Sequence, residues 1–224
     1  MRNIPLIVSL ASLSLLPTSL SQAETLSLEW GKVFVTDTAP ENVYFRARYL
    51  DQAGKSHLLQ VWRQADLHLR RKTDDRLDLY LDKDASGNYD YRLVDYSRQV
   101  VISTDRANLY RMGILSDWFG LAHVLNSPRG NFTITPRQQA QTGADGKCIW
   151  YQLDIASPES SSRICWSNQW GLPLAIQART NGGQWMTKFA IEEVRSIRPA
   201  SGTFDVPGDG FLQIDARPDD NAPD

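Results

Sequence analysis

Apolar and polar residues alternate along much of the first half of the chain, with the period of two that a half-buried β-strand requires. The clearest stretch is Leu-Asp-Leu-Tyr-Leu-Asp at residues 77–82. Turn-forming residues at 51–55 and 85–88 interrupt the alternation, as they do between the strands of hairpins. The pattern predicts strands at residues 43–49, 57–63, 65–70, 77–81, 89–95 and 99–103.

One later segment breaks this pattern and has helical spacing, with two apolar stripes side by side at intervals of three and four residues. The first stripe consists of Ile114, Trp118, Leu121 and Leu125, and the second of Met112, Leu115, Phe119 and Ala122. We therefore predict a helix over about residues 116–125, with Ser116 at its start and Pro128 just past its end. A helix with two apolar stripes needs apolar cover on both.

Strands are predicted to resume after a polar stretch at residues 135–146. They lie at 149–155, 163–166, 172–179 and 184–194, with turns near 157–160 and 181–183. The fold class expected from these patterns is mostly β with some α. Residues 24–216 are enough for one domain with a sizeable core.

The first residues have the features of a cleaved signal peptide. A positive Arg2 precedes an apolar run, Ile4–Leu16, that is too short to span a bilayer. The small residues Ser21 and Ala23 then stand at positions −3 and −1 of a signal-peptidase site. We expect cleavage after Ala23 and export to the periplasm, with an uncleaved anchor as the alternative. No transmembrane segment is expected in the mature chain. Residues 217–224, acidic and containing proline, are predicted to form a disordered tail.

Charge narrows the range of partners. The formal net charge is −2, with 24 basic and 26 acidic residues, and no basic run stands out. A surface that binds nucleic acid or anionic membranes concentrates Lys and Arg. We therefore expect no nucleic-acid partner.

The chain has two cysteines, Cys148 and Cys165. An even number in an exported protein predicts one disulfide, although two buried thiols are the alternative. Both cysteines lie on the arms of the hairpin predicted around residues 157–160. They are not directly opposite if its turn centres on Glu159, so we expect a bulge or a neighbouring strand to bring them together.

Candidate catalytic and metal-binding patterns are weak. The histidines His57, His68 and His123 lie in ordinary strand or helix contexts, and neither a G-x-S-x-G nor an H-E-x-x-H motif occurs. Residues 82–90 match the start of a calcium loop, but the twelfth position, normally a glutamate, is Leu93. A charged hairpin turn fits these residues better. We expect no cofactor, no metal and no enzymatic activity, and rank a hydrolase last among the function classes.

Four motifs in order resemble the outer-membrane lipoprotein carrier superfamily, which includes LolA/LolB-like and RseB-like proteins. They are Val61-Trp62-Arg63-Gln64-Ala65-Asp66-Leu67, the hairpin residues 91–100, Gly171-Leu172-Pro173-Leu174 and Phe204-Asp205-Val206-Pro207. The first departs from the family, because Gln64 stands where the carriers have a proline after the arginine. A disulfide is not a general feature of the carriers.

The resemblance implies a strongly curved antiparallel sheet, an unclosed half-barrel, with helix on its concave side. It implies an apolar ligand such as a lipid or an acylated protein, and Arg63 in the position that holds the carriers' lid closed. The expected ligand-binding residues are Trp62, Arg63, Leu79, Leu81, Leu93, Leu115, Trp118, Phe119, Ala122 and Leu172. The alternative is an envelope interaction or sensor subunit that uses the same fold without its own ligand.

Overall fold

The computed structural model describes residues 27–111, 117–143, 146–156 and 159–217. The predicted signal peptide, residues 112–116 of the helical segment and the tail from residue 218 lie outside this part of the chain. Among the described residues, none of the helices has the length and hydropathy to cross a membrane.

The protein is mostly β, with one twelve-stranded sheet. Its strands are β1 (Asn42–Leu50), β2 (Ser56–Gln64), β3 (His68–Thr73), β4 (Leu77–Lys83), β5 (Tyr89–Asp95), β6 (Val100–Asp105), β7 (Phe132–Gly143), β8 (Gly146–Ala156), β9 (Glu159–Ser167), β10 (Leu172–Arg179), β11 (Trp185–Ser196) and β12 (Leu212–Asp215). Within the described residues, three short helices accompany it: α1 (Trp30–Val33), α2 (Arg106–Arg111) and α3 (Trp118–His123).

The strand order is β12-β6-β5-β4-β3-β2-β1-β11-β10-β9-β8-β7. Since β7 and β12 are the two end strands and do not pair, the sheet is unclosed. Strands β1 to β6 and β7 to β11 form two runs of neighbours, and β1 pairs with β11 where the runs meet. Strand β12 is parallel to β6, so the predicted all-antiparallel sheet is wrong at that edge.

The core follows from the alternation along the strands. We call the side that carries Leu59, Val61 and Leu81 the α3 face, because residues on that side contact α3. These three side chains are at most 2% exposed, and the apolar residues of β1, β4 and β11 pack with them. On the opposite face, Tyr80, Val94 and Val101 form a smaller cluster under the C-terminal segment around Val206 and Phe211.

Most of the predicted hairpins are confirmed, with shifts at their ends. The strand predicted at 65–70 begins only at His68, because Ala65 has a φ of 49° and its amide donates to Glu41 O in a turn. The polar stretch at 135–146 lies largely within β7, an end strand with an exposed edge where alternation is not required. Helices α1 and α2 were not predicted.

The predicted helix is shorter within the described residues than its apolar stripes suggested. Asp117 is the N-cap of α3, and its Oδ1 accepts the Gly120 amide at 2.7 Å, whereas Ser116, the predicted start, lies outside the described residues. Val124 ends the helix in the left-handed conformation, with a φ of 57°.

The structure contains the predicted disulfide between Cys148 and Cys165, whose Cα atoms are 5.3 Å apart. Cys165 pairs with Trp150, two residues along β8 from Cys148. Residues two apart point to the same face of a strand, so the cysteines are diagonal neighbours in a regular ladder. The expected bulge or third strand is therefore wrong.

Candidate functional site

Helix α3 lies against the α3 face and bears the candidate site. The ring centroids of Trp118 and Tyr89 of β5 are 6.0 Å apart, and Nζ of Lys83 of β4 is 5.2 Å from the centre of the Trp118 ring. Phe119 stacks near Trp166 of β9, with ring centroids 6.3 Å apart. Adjacent residues of one short helix thus contact strands from both runs of the sheet.

A buried pair of basic residues joins α3 to β2. Arg63 is 5% exposed and His123 is 8% exposed. Arg63 Nη1 lies 2.9 Å from Nδ1 and 3.4 Å from Nε2 of His123. His123 Nδ1 is also 2.6 Å from the carbonyl oxygen of Gly171, which can only accept. The imidazole therefore carries its hydrogen on Nδ1, and Nε2 is left to accept from Arg63.

Burial and the neighbouring charge of Arg63 lower the pKa of His123 to about 4, so the imidazole is neutral at pH 7. Burial lowers the pKa of Arg63 to about 10, and its guanidinium remains charged. Its Nη2 also donates to Pro40 O at 3.3 Å. Arg63 is thus a buried cation that donates hydrogen bonds to an imidazole and a carbonyl.

Gly171 explains one of the motifs. Its φ is +60°, and a Cβ there would lie 3.0 Å from the Ala39 side chain and 3.1 Å from Thr36. A glycine allows both the left-handed backbone and the close approach of this loop. The same residue supplies the carbonyl that orients His123, so Gly171 fixes both the loop and the helix.

A second arginine, on the sheet, donates a hydrogen bond to the backbone of α3. Arg71 of β3 donates from Nη1 to Leu121 O at 3.3 Å. Burial lowers the pKa of Arg71. The carbonyl groups at the end of a helix carry partial negative charge, which favours a cation there.

An open groove of about 530 Å³ lies beside α3, and we call it the α3 groove. This volume is within the range of small-molecule sites. Its walls combine the aromatic residues of α3 with the Arg63–His123 pair and nearby loops. It is lined by Thr36, Ala39, Pro40, Glu41, Arg63, Ala65, Asp66, Trp118, Phe119 and His123.

The structure brings together only some of the predicted ligand-binding residues. Arg63, Trp118 and Phe119 line the groove. The buried core or its margin contains Leu79, Leu81, Leu93, Ala122 and Leu172. Leu115 lies outside the described residues. Trp62 is on the face opposite Arg63, since successive strand residues point to opposite sides, and its ring is 5.2 Å from Tyr44.

Sequence reasoning missed His123 as a groove residue. The available signal was its spacing, because His123 follows Phe119 by four residues and so shares its helical face. Their ring centroids are 4.5 Å apart. The loop residues that line the groove have no comparable pattern; they are Thr36, Ala39, Pro40, Glu41, Ala65 and Asp66.

The stretch that matches the start of a calcium loop is the predicted hairpin turn between β4 and β5. Asp84 Oδ1 accepts the amides of Ser86 at 2.8 Å and Asn88 at 2.9 Å. Asp82 contacts His68 Nδ1 at 2.7 Å and forms an ion pair with Arg92. Within the part of the chain that the structure describes, no group of three or more His, Cys, Asp or Glu side chains is arranged to hold a metal.

Comparisons with known proteins give structural similarities only. No protein-family model matches the chain, and no curated protein matches it. The fold is similar to MucB, with 12% identity, a TM-score of 0.44, and coverage of 82% of this chain and 63% of that one. It is similar to the Pseudomonas aeruginosa MucA/MucB complex structure, with 13% identity, a TM-score of 0.44, and coverage of 81% and 60%.

A third similar structure is an uncharacterized conserved protein from Thermus thermophilus. The identity is 9% and the TM-score is 0.46, over 82% of this chain and 94% of that one. The present chain spans less than two thirds of the MucB chains that it matches. At these TM-scores, the similarities assign no ligand and no partner to this chain.

Proposed function

We propose that this protein is a periplasmic, non-enzymatic binding protein that holds an acyl chain or another apolar ligand in the α3 groove. The observation that carries the proposal is the position of Trp118 and Phe119. Both are only half-buried, and both line the groove beside a core of apolar side chains. An aromatic wall with a few convergent polar groups is typical of small-ligand sites.

The contacts of α3 support a sheet that bends around it, as the resemblance to the lipoprotein carriers implies. Strands β5 and β9 are seven positions apart in the sheet. At about 4.8 Å per strand they would be about 34 Å apart if the sheet were flat. The side chains of Trp118 and Phe119 nevertheless contact residues on both strands. A short helix on the concave side of a half-barrel accounts for these contacts.

The histidine partners support a binding role over catalysis. His57 lies between Asp51 and Asp74, and His68 is bound to Asp82. The hydrogen bonds of His123 run to Arg63 and to the carbonyl of Gly171. A hydrolase of the Ser-His type needs a histidine within hydrogen-bond reach of its nucleophile. The histidine partners in the described residues are instead carboxylates, an arginine and a backbone carbonyl.

The proposal is tested by titrating a fluorescent fatty acid into the unmodified protein and into Trp118→Ala and Phe119→Ala variants. Trp62→Ala is the matched control, because Trp62 is a half-buried aromatic residue on the opposite face. We expect the groove variants to lose about 1–3 kcal/mol of binding, or roughly fivefold to a hundredfold in Kd. The Trp62 variant should bind like the unmodified protein.

Denaturant unfolding of each variant separates binding from folding. If Trp118 or Phe119 is plain core, its removal should cost about 3–5 kcal/mol of stability through the cavity it leaves. Large destabilisation, together with no fatty acid bound by the unmodified protein, would overturn the proposal.

The second candidate is an envelope interaction or sensor subunit without its own ligand. The observation that favours it is the exposed edge strand β12, where Leu212 is 63% exposed and Ile214 is 42% exposed. Apolar side chains on an open strand edge are suited to a protein partner. This candidate stands if the fatty-acid titration shows no binding.

A further inference from the structure

Three arginines lie close together on the face of the sheet opposite α3. Arg163 of β9 pairs in register with Gln152 of β8 and Gln177 of β10. Arg179 follows Gln177 by two residues along β10, so it shares the face of Arg163. Arg137 of β7 pairs with Trp150, which pairs with Cys165, two residues along β9 from Arg163. The alternation along each strand therefore places all three on one side. We call Arg137, Arg163 and Arg179 the arginine cluster.

None of the three has a carboxylate partner in the described residues. Arg137 donates to the Gln152 side chain, and Arg179 Nε donates to Gly183 O at 3.5 Å. The Arg163 guanidinium lies 3.9 Å from the centre of the Trp185 ring. Arg46 and Arg48 of β1, on the same face, differ because both form ion pairs with Glu192.

The cluster has a positive charge that the protein does not neutralise locally. Arg163 Nε is buried and has no hydrogen-bond partner among the described residues. Burial and the charges of Arg137 and Arg179 lower the pKa of Arg163. The nearby Asp154 carboxylate accepts from Gln152 and from Ser161. Three mutually repelling cations beside an occupied carboxylate are an arrangement that a bound anion would stabilise.

The surroundings suit a small, multiply charged oxyanion. An open cavity of about 590 Å³ adjoins the cluster at Arg179, and its walls present the hydroxyl and amide groups of Ser160, Ser161, Thr180 and Asn181. Two carboxylates, those of Asp154 and the exposed Glu159, also line it, so the anion is expected beside the arginines and not across the whole cavity. The Cys148–Cys165 disulfide ties β8 to β9 two residues from Arg163 and stiffens the strand that carries it.

We propose that the arginine cluster binds a phosphate- or sulfate-type oxyanion, centred on Arg163 and flanked by Arg137 and Arg179. Guanidinium groups match tetrahedral oxyanions through paired N–H donors, and such charge-assisted bonds are the strong ones. The site is separate from the α3 groove, because it lies on the other face of the sheet. Its oxyanion is either a free ion or the phosphate of a lipid headgroup, which share the same chemistry.

The test is calorimetric titration of inorganic phosphate at constant ionic strength into three proteins. They are the unmodified chain, Arg163→Gln, and the control Arg48→Gln, which removes an arginine of the same face that already has a carboxylate partner. We expect phosphate to bind the unmodified protein, Arg163→Gln to weaken binding by about tenfold or more, and Arg48→Gln to leave it within about twofold.

Co-sedimentation with phosphatidylglycerol and phosphatidylcholine vesicles distinguishes the two sources. Binding only to the anionic vesicles, lost in Arg163→Gln, identifies a lipid headgroup, whereas phosphate binding without vesicle binding identifies a free ion. The proposal is overturned if the unmodified protein binds neither, or if Arg48→Gln and Arg163→Gln weaken binding equally. Should Arg163→Gln fail to fold, the exposed Arg137 and Arg179 are replaced by Gln instead, with the same expected loss.

Discussion

Arg63 and His123 are two basic side chains, one from β2 and one from α3, buried against each other, with Arg63 Nη1 3.4 Å from the accepting Nε2 of His123. Two cations could not be held this way in a buried site. The contact therefore depends on His123 being neutral. Protonation of the imidazole would place two like charges side by side and weaken the attachment of α3 to the sheet.

The first prediction concerns pH. The folded-state pKa of His123 is about 4, below the value of about 6.5 expected in the unfolded chain. As pH falls below 6.5, the unfolded state takes up a proton that the folded state does not. His123 therefore contributes stability that is fully present above pH 6.5 and lost between pH 6.5 and 4, by about 3 kcal/mol in total. Denaturant unfolding at pH 7.5, 6.5, 5.5 and 4.5 measures this loss.

His123→Gln is the matched variant, since the amide keeps a donor and an acceptor without titrating. The free energy of unfolding of this variant should fall less steeply with acid than that of the unmodified protein. Equal slopes in the two proteins would show that the imidazole does not carry the effect. His57, whose pKa is raised by Asp74 and Asp51, acts in the opposite direction, because its contribution is lost as pH rises through that raised pKa.

The second prediction concerns Asp78, which is fully buried in β4. Arg70 donates to Oδ2 from Nη2 at 2.6 Å and from Nε at 3.0 Å, its Nε also lies 3.2 Å from Oδ1, and Tyr80 donates to Oδ2. Asp78→Asn leaves the half-buried Arg70 without its counter-charge and should lower the free energy of unfolding by about 3–5 kcal/mol. Denaturant unfolding measures this change.

Asp75→Asn is the control for Asp78, because Asp75 forms a 2.9 Å ion pair with Lys72 but is 98% exposed. Its loss should cost less than about 1 kcal/mol.

Arg70 also donates to Thr203 O at 3.1 Å. Faster amide exchange of β12 in Asp78→Asn would show that this contact helps to hold the C-terminal segment, and comparable stability losses in the two variants would contradict the prediction.

The third prediction concerns the disulfide. Replacing both Cys148 and Cys165 by Ser should lower the free energy of unfolding by about 3 kcal/mol, since the bond closes a loop with a sequence separation of 17. Adding reductant to the unmodified protein should give a similar loss and leave the double variant unchanged. Intact-mass analysis after non-reducing alkylation checks the premise, which two labelled thiols would refute.

The fourth prediction is that calcium leaves the protein's melting temperature unchanged. The carboxylate of Asp84 is bound by backbone amides and that of Asp82 by a histidine and an arginine, and Leu93 stands where the bidentate ligand would be. The melting temperature in millimolar calcium should match that in chelator to within about 1 °C. A rise of several degrees would reveal a binding site at this turn.

The sequence was most informative where the residue types of a strand alternate. Residues 77–81 alternate because Leu79 and Leu81 lie on the α3 face, whereas Asp78 and Tyr80 lie on the opposite face, where both are also buried. The strand there was predicted within two residues. In β7 the outer edge is unpaired and Thr133, Pro136 and Arg137 are exposed, so little selects for alternation and the strand was missed. Helix α1 spans only four residues, and Leu109 is the one buried apolar side chain among the described residues of α2, so neither helix shows an apolar stripe in the sequence.

The candidate site was predicted only in part, for reasons of geometry. Trp118 and Phe119 were identified because helical spacing groups them. Trp62 was grouped with Arg63 from the motif, although neighbouring residues of a strand face opposite sides. The Arg63–His123 contact joins residues 60 positions apart. No local pattern encodes such a contact, which depends on where α3 lies on the finished sheet.

The strand order has a consequence for folding kinetics. Each of the two runs, β1–β6 and β7–β11, consists of sequence neighbours, so every pairing within a run closes a short loop. The β1–β11 pairing instead joins residues such as Phe45 and Val194 across about 150 positions. Loop closure over such distances is entropically costly and slow. The two runs are therefore expected to form early and independently, and the pairing of β1 with β11 is expected to be the slow step.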